Sequence, residues 1–482
     1  MIEAIFMFSF LVSLLVLVVG YLIYGRLTEK VFSPDDRETP ASAINDGVDC
    51  VPLPRWKSFM IQLLNIAGTG PIFGALMGAV FGPVVFLWIV LGSILGGAVH
   101  DYFSGMISER HEGKSVADLS GTYLGTPVKY IMRVFSILLL LLCGTVFITS
   151  PASLIARLTP DYMTEKFWLC VIIIYYIFAT LLPIDKIIGR LYPVFGAILI
   201  IMAALIAGTL FFLPDYTIPE ITLRNLHPDG LPAFPFMFVT VACGAISGFH
   251  ATQSPVIAKC ITSEKQGRSV FYGAMICESV IALVWAAAGV AFYGTSEMLR
   301  DAIDTLGQSG VVYDISTKLL GTVGGVLAVV GVVVCPITSG DTAFRSARLI
   351  IAEWVGSEQK SFKNRLFITL PLLFCGAVLS QLDFSVLWRY FSWSNQTLAM
   401  ISLWIATSYI IRNAKKPFYS LITALPASFM TDISVTYILM ADEGLSLRGN
   451  IAYPVGAAVA LSLLAVYLFF AVRASNQKIN SR

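Results

Sequence analysis

Asn65-Ile66-Ala67-Gly68-Thr69-Gly70-Pro71 and Gly244-Ala245-Ile246-Ser247-Gly248-Phe249-His250-Ala251-Thr252-Gln253-Ser254-Pro255 are the two stretches whose reading decides the fold. Each interrupts, at mid-length, an apolar run long enough to cross a bilayer. An unwound backbone in lipid loses hydrogen bonds worth several kcal/mol each, so it survives only where protein or a water-filled cavity satisfies it. Two such interruptions at corresponding places in two halves of a chain point to a transporter's binding site.

The rest of the chain agrees with a membrane setting. Of 482 residues, 57% are hydrophobic and only 13% charged, against about 25% charged in soluble domains. The mean hydropathy is +0.79. A net charge of +2 carries no signal for nucleic acid; in a membrane protein the placement of the charges matters instead. Cys143, Cys170, Cys243, Cys260, Cys277, Cys335 and Cys375 lie in or at the ends of apolar runs with no CxxC pair, and read as small membrane-buried residues rather than disulfides or a metal cage. The first apolar run lacks a basic region before it and is long enough to span, so it reads as a retained helix rather than a signal peptide.

Runs able to cross roughly 30 Å of hydrocarbon predict thirteen helices, at 4–25, 58–80, 83–107, 127–149, 167–183, 188–213, 233–258, 268–294, 312–336, 364–382, 386–411, 417–440 and 452–473. Most of the 32 Lys and Arg fall in alternate connections, beginning with the one after the first helix. The positive-inside rule then puts the N-terminus outside and the C-terminus in the cytoplasm. Each interrupted helix opens a group of five, and an odd number of spans forces two copies of one unit into opposite orientations. The expected architecture is therefore an all-α polytopic membrane protein with a five-plus-five inverted repeat of the LeuT type. It comprises an N-terminal helix and loop (1–57), a first repeat (58–213), a second repeat (214–411) and two additional C-terminal helices (412–482). The longest polar stretches, about 26–57 and 337–363, read as cytoplasmic loops.

Gly68 and Gly70 permit torsions closed to other residues, and Pro71 suits the start of a new half-helix. Amides freed there would favour an anion such as a carboxylate; the alternative is close helix packing through small residues. Asn65, Gly68, Thr69 and Gly70 are thus candidate substrate ligands in the first interruption, and Ser247, Gly248, His250 and Gln253 in the second, with Asn395 added from the eleventh helix. His250, one of four histidines, suits proton coupling, a hydrogen bond to a substrate carboxylate, or a structural bond to a neighbouring carbonyl. Thr338, Ser339 and Asp341 offer oxygen ligands to a hard cation, or else cap a helix end. Asp101, beside His100, is either a proton-relay partner or a solvated end-of-helix charge paired with Arg110 or another basic loop residue, the second being slightly favoured. Asn395 and Gln396 should face the bundle interior, as a gate or an interhelical bond. Glu278 and Asp432 rank below His250.

Several stretches resemble the carbon starvation protein (CstA) family. They are Ile66 to Pro71, Gly82-Pro83, Leu95 to Asp101, Ser247 to Ala251, Ile337 to Ala343 with Arg345 and Arg348, and Ser394 to Ala399. They span most of the chain in the family's order. The resemblance implies a bacterial inner-membrane uptake system for pyruvate or small peptides, related to LeuT-like proteins and driven by a proton or sodium gradient, with no further cofactor. The likeness to LeuT-type proteins also implies a sodium site between the Thr338–Ser339 hydroxyls and carbonyls of the first broken helix. An amino acid or another small carboxylate is the alternative substrate.

Rival functions find less support. His111-Glu112 lacks the second histidine of a zinc protease and there is no G-x-S-x-G elbow, which speaks against an intramembrane enzyme. A channel would call for a fourfold repeat or rings of charge. A metal-ion transporter of the Nramp type shares the five-plus-five plan, but its Asp-Pro-Gly-Asn signature is missing from the first interruption.

Overall fold

A computed structural model of the chain describes residues 7–45, 47, 50–181, 184–213, 216–358 and 361–480. Residues 4–6 of the first expected helix and 182–183 of the fifth lie outside them. Every regular element among the described residues is a helix, and none is a strand. The long elements are α1 (Phe8–Phe32), α2 (Arg55–Ile66), α3 (Gly70–Ala79), α4 (Val85–Arg110), α5 (Val116–Leu124), α6 (Thr126–Leu158), α7 (Glu165–Leu181), α8 (Ile184–Phe212), α9 (Ala233–Thr240) and α10 (Gly248–Ala258). They continue as α11 (Gly273–Tyr293), α12 (Ser296–Val329), α13 (Cys335–Val355), α14 (Phe362–Leu379), α15 (Phe384–Asn413), α16 (Leu421–Met440) and α17 (Gly449–Asn480).

Among the described residues, nine helices are long and apolar enough to cross a membrane, or ten if α2 and α3, bent by 49° across a short break, count as one span. The thirteen expected from the sequence include stretches that miss this standard for visible reasons. The α9–α10 pair is split by seven residues, α7 is short at 17 residues, and α15 carries Arg389, Asn395 and Gln396. In addition, α12 is broken at Gly307 and Gly321, where the backbone leaves the helix, and its last part runs on into α13. Apolar side chains on the outside, such as Ile23, Phe367 and Phe469, more than 60% exposed, suit a lipid surroundings.

One expectation is overturned here. Residues 337–355 form no loop; they continue α13 and are largely buried, with Thr338, Ser339, Asp341, Arg345 and Arg348 all below 9% exposure. The polar residues that suggested a loop are served by protein. Arg345 Nη2 donates to the Ala179 carbonyl at 2.8 Å and lies 3.6 Å from Asp341, one turn earlier.

The end of the bundle where α1, α4 and α15 finish is tied by Arg110. Its guanidinium donates to both Glu264 oxygens (2.7 and 2.9 Å), to Tyr409 Oη at 2.7 Å and to the Ser33 carbonyl at 3.0 Å, and lies 3.9 Å over the Phe32 ring. The Glu264 side chain has no exposure. One buried ion pair thus fastens the ends of α1, α4 and α15 to the approach to α11.

Candidate functional site

The two breaks lie against each other. In the first, α2 stops at Ile66, Ala67 to Thr69 leave the helix, and α3 restarts with Gly70 and Pro71, where a missing N–H removes no intrahelical bond. In the second, α9 stops at Thr240; Gly244 takes φ +93°, which disfavours any side chain, and Ser247 is extended before α10 begins. A Cβ on Gly70 would stand 2.4 Å from Cys243 Sγ, and one on Gly244 would stand 3.6 Å from Pro71. Small residues at both breaks are what let two unwound segments touch.

The unwound backbone is satisfied by side chains from neighbouring helices. The Val241 carbonyl accepts from Trp88 Nε1 (3.3 Å) and the Gly244 carbonyl from Ser93 Oγ (3.0 Å). Asn395 Oδ1 accepts from the Phe249 amide (2.6 Å) and Ser247 Oγ (3.1 Å), which caps α10. Asn395 thus makes an interhelical bond between α15 and the start of α10. Gly248 seats α10 on α15, where a Cβ would meet the Asn395 carbonyl at 2.4 Å. The first break is tied to α13, since Ser339 Oγ donates to the Leu64 carbonyl at 3.2 Å and Gly68 faces that hydroxyl. Thr338 Oγ1 instead returns to its own turn, at the Cys335 carbonyl. Asp341 turns about 200° around the helix from Ser339 and faces Arg345.

His250 is not in the unwound segment, contrary to the sequence reading. It sits in the first turn of α10, and Gln253 follows a turn later, because Gly244 and Ser247 absorb the break upstream. The reading of Asp101 as a solvated charge near Arg110 is also overturned. Its carboxylate is fully buried; Oδ1 lies 2.8 Å from His100 Nδ1 and Oδ2 2.8 Å from His250 Nδ1. The other ring nitrogen of His250 lies 3.4 Å from Glu278 Oε2 on α11. Arg110 is engaged by Glu264 instead.

Glu278 and Cys243 are the site residues that sequence reasoning undervalued. The thiol, His250 and Glu278 present ligand atoms within 4.8 Å of one another, all three residues buried. An intramembrane acid soon after a broken helix was the available signal for Glu278. None existed for Cys243, which resembles any small buried residue.

Several buried polar atoms near the breaks have no hydrogen-bond partner, including both side-chain heteroatoms of Asn65, the Thr69 hydroxyl, Gln62 Oε1 and Gln253 Oε1. Such atoms are rare in native structures and call for an explanation. The Nε2 groups of Gln62 and Gln253 are used, reaching Ser254 at 3.2 Å and Thr252 and Ser346 at 3.0 and 3.3 Å. Thr252 and Ser346 in turn line a cavity of about 400 Å³ that opens past Lys114, Lys259 and Glu353. Phe147, Phe249, Phe391, Trp388 and Phe73 form a chain of ring contacts with centroids 5.6 to 6.4 Å apart.

The family model for carbon starvation protein CstA matches residues 4–163 and 152–299. A Haemophilus influenzae membrane protein is 43% identical over 62% of this chain and 94% of its own. The peptide transporter CstA of Bacillus subtilis is 27% identical over 88% of each chain, and that of Helicobacter pylori 26% over 86% of this chain and 79% of its own. Among solved structures, a mutant manganese transporter of Eremococcus coleocola superposes with a TM-score of 0.52 at 12% identity, covering 91% of this chain and 99% of that one. This likeness concerns the fold alone. With the family model matching more than half its length, the chain belongs to the carbon starvation protein CstA family.

Proposed function

We propose that the protein is an ion-coupled secondary transporter that takes up small peptides across the bacterial inner membrane by alternating access. It would do so within thirteen spans, with 58–213 and 214–411 as the two halves of a LeuT-type inverted repeat. The observation that carries this reading is the meeting of the two breaks beside Asn65, Thr69 and Gln253, whose buried polar atoms lack partners. Groups held ready in this way favour a polar substrate over a packed interior. The relatives named as peptide transporters support the substrate class. The cavity of about 400 Å³ lies in the usual range for ligand clefts of ≈ 300–1,000 Å³.

In this reading the protein rests open to the cytoplasm. With the N-terminus outside, the cavity past Lys114 and Lys259 faces inward, and the aromatic chain from Phe73 to Phe147 closes the outer side. A coupling sodium would take oxygen ligands from Ser339 and the Leu64 carbonyl, which join α13 to the first break.

Uptake into proteoliposomes tests the proposal, using a labelled dipeptide and labelled pyruvate with sodium or proton gradients imposed separately. Sodium-driven accumulation of the dipeptide, lost in Ser339→Ala, is the expected result. Proton-driven uptake unaffected by Ser339→Ala would remove the sodium site, and pyruvate accumulation alone would overturn the peptide assignment. No accumulation under either gradient, from folded protein, would sink the transporter reading.

A further inference from the structure

We infer that Cys243, His250 and Glu278 form a binding site for a divalent transition-metal ion of borderline softness, of which Zn²⁺ is the natural probe. The site goes beyond transport and does not depend on it. Its three side chains come from different places in the fold: Cys243 from the unwound segment of the second break, His250 from the first turn of α10 and Glu278 from α11. Their ligand atoms all lie within 4.8 Å of one another, and all three residues are buried.

Three observations favour a metal over ordinary packing. His250 Nε2 and the Glu278 oxygens face one another without a well-formed hydrogen bond, although buried polar groups that lack one are costly. Nε2 and Oε2 are 3.4 Å apart, and two ligands each about 2.05 Å from a tetrahedral zinc lie about 3.3 Å from each other. Finally, His250 holds Asp101 Oδ2 through Nδ1 at 2.8 Å. A carboxylate on the far ring nitrogen is the outer contact that metal-binding histidines use, because it fixes the tautomer and leaves Nε2 as the ligand atom. The second Asp101 oxygen is held by His100 at 2.8 Å.

The donor set selects the class of ion. One thiolate, one imidazole and one carboxylate carry two negative charges, which a divalent ion balances. The sulfur and nitrogen donors disfavour magnesium and calcium, which take oxygen. Binding displaces the Cys243 thiol proton, and Asn395 Nδ2, 3.4 Å away, already donates to the sulfur. Three protein ligands leave a fourth position open. The ion would pin the unwound segment and α10 to α11.

The experiment uses the full-length protein purified in detergent and stripped with a chelator. Zn²⁺ is titrated by calorimetry, and Co²⁺ by its thiolate charge-transfer absorption. The expected result is one equivalent of metal with a cobalt–thiolate band. Cys243→Ser should abolish the band, and His250→Gln and Glu278→Gln should remove stoichiometric binding. Asp101→Asn should weaken binding by about 10- to 100-fold, while Cys335→Ser, a buried cysteine outside the cluster, should bind as the parent does. Absence of stoichiometric binding in the parent overturns the proposal, as does binding that survives both Cys243→Ser and His250→Gln. If Cys243→Ser does not fold, the parent's cobalt spectrum decides, since a bound ion without a thiolate band excludes this site.

Discussion

Gly70→Ala tests the contact between the two breaks. The added Cβ would stand 2.4 Å from Cys243 Sγ and 2.5 Å from Cys243 Cβ, where ordinary contact is 3.4–4 Å. A rotation about χ1 could move the sulfur, but the Cβ is fixed to a backbone anchored through Val241 and Gly244 by Trp88 and Ser93. The breaks must therefore separate by about 1 Å, and overpacking of that kind costs about 1–3 kcal/mol. Unfolding in detergent measures the loss, and dipeptide uptake measures the accompanying loss of function. Cys243→Gly removes both clashing atoms, so in the double variant Gly70→Ala should be tolerated better than in the parent. The cycle should show favourable coupling of about 0.5–3 kcal/mol. Additivity within about 0.5 kcal/mol, or a Gly70→Ala protein as stable as the parent, would refute the reasoning that the breaks touch at this point.

Three further outcomes follow from the same geometry. Asn395→Ala should destabilise the protein by about 1–3 kcal/mol, because the Phe249 amide and Ser247 hydroxyl lose their acceptor in a buried place; unchanged thermal unfolding would count against the cap. Arg110→Ala should cost about 3 kcal/mol, the low end for breaking a buried pair, since Arg37 still stands 3.3 Å from Glu264. Glu264→Gln in that background should recover part of the loss, and a failure to recover any would mean the pair is not what was broken. At Asp118, burial pushes the carboxyl up, but hydrogen bonds from Glu353 and Lys129 and the charges of Lys129 and Arg133 outweigh it and hold the group below its ordinary value. A lowered carboxyl contributes stability above its unfolded value near 3.9 and loses it as pH falls through the folded value. Asp118→Asn should thus cost about 1 kcal/mol at neutral pH, with the gap to the parent closing in acid; a gap independent of pH would exclude the ion pairs with Lys129 and Arg133 as its origin.

The sequence by itself determined that the chain is a polytopic helical membrane protein with two broken helices. Apolar run length and the insertion of Gly, Pro and polar residues are local properties, and lipid permits few responses to them. The family motifs were equally local. It located the breaks well, although the second proved to be centred on Gly244 to Ser247, with His250 already helical. Only the tertiary structure decided which side chains meet there. Asp101, His250, Glu278 and Cys243 are separated by up to 177 positions, and whether an acid at a helix end is solvated or lies between two histidines depends on which helix packs against it. The same holds for 337–355, which composition reads as a polar loop and packing turns into a buried helix. A polar residue in a membrane protein must find a partner, but its own sequence neighbourhood does not say which one.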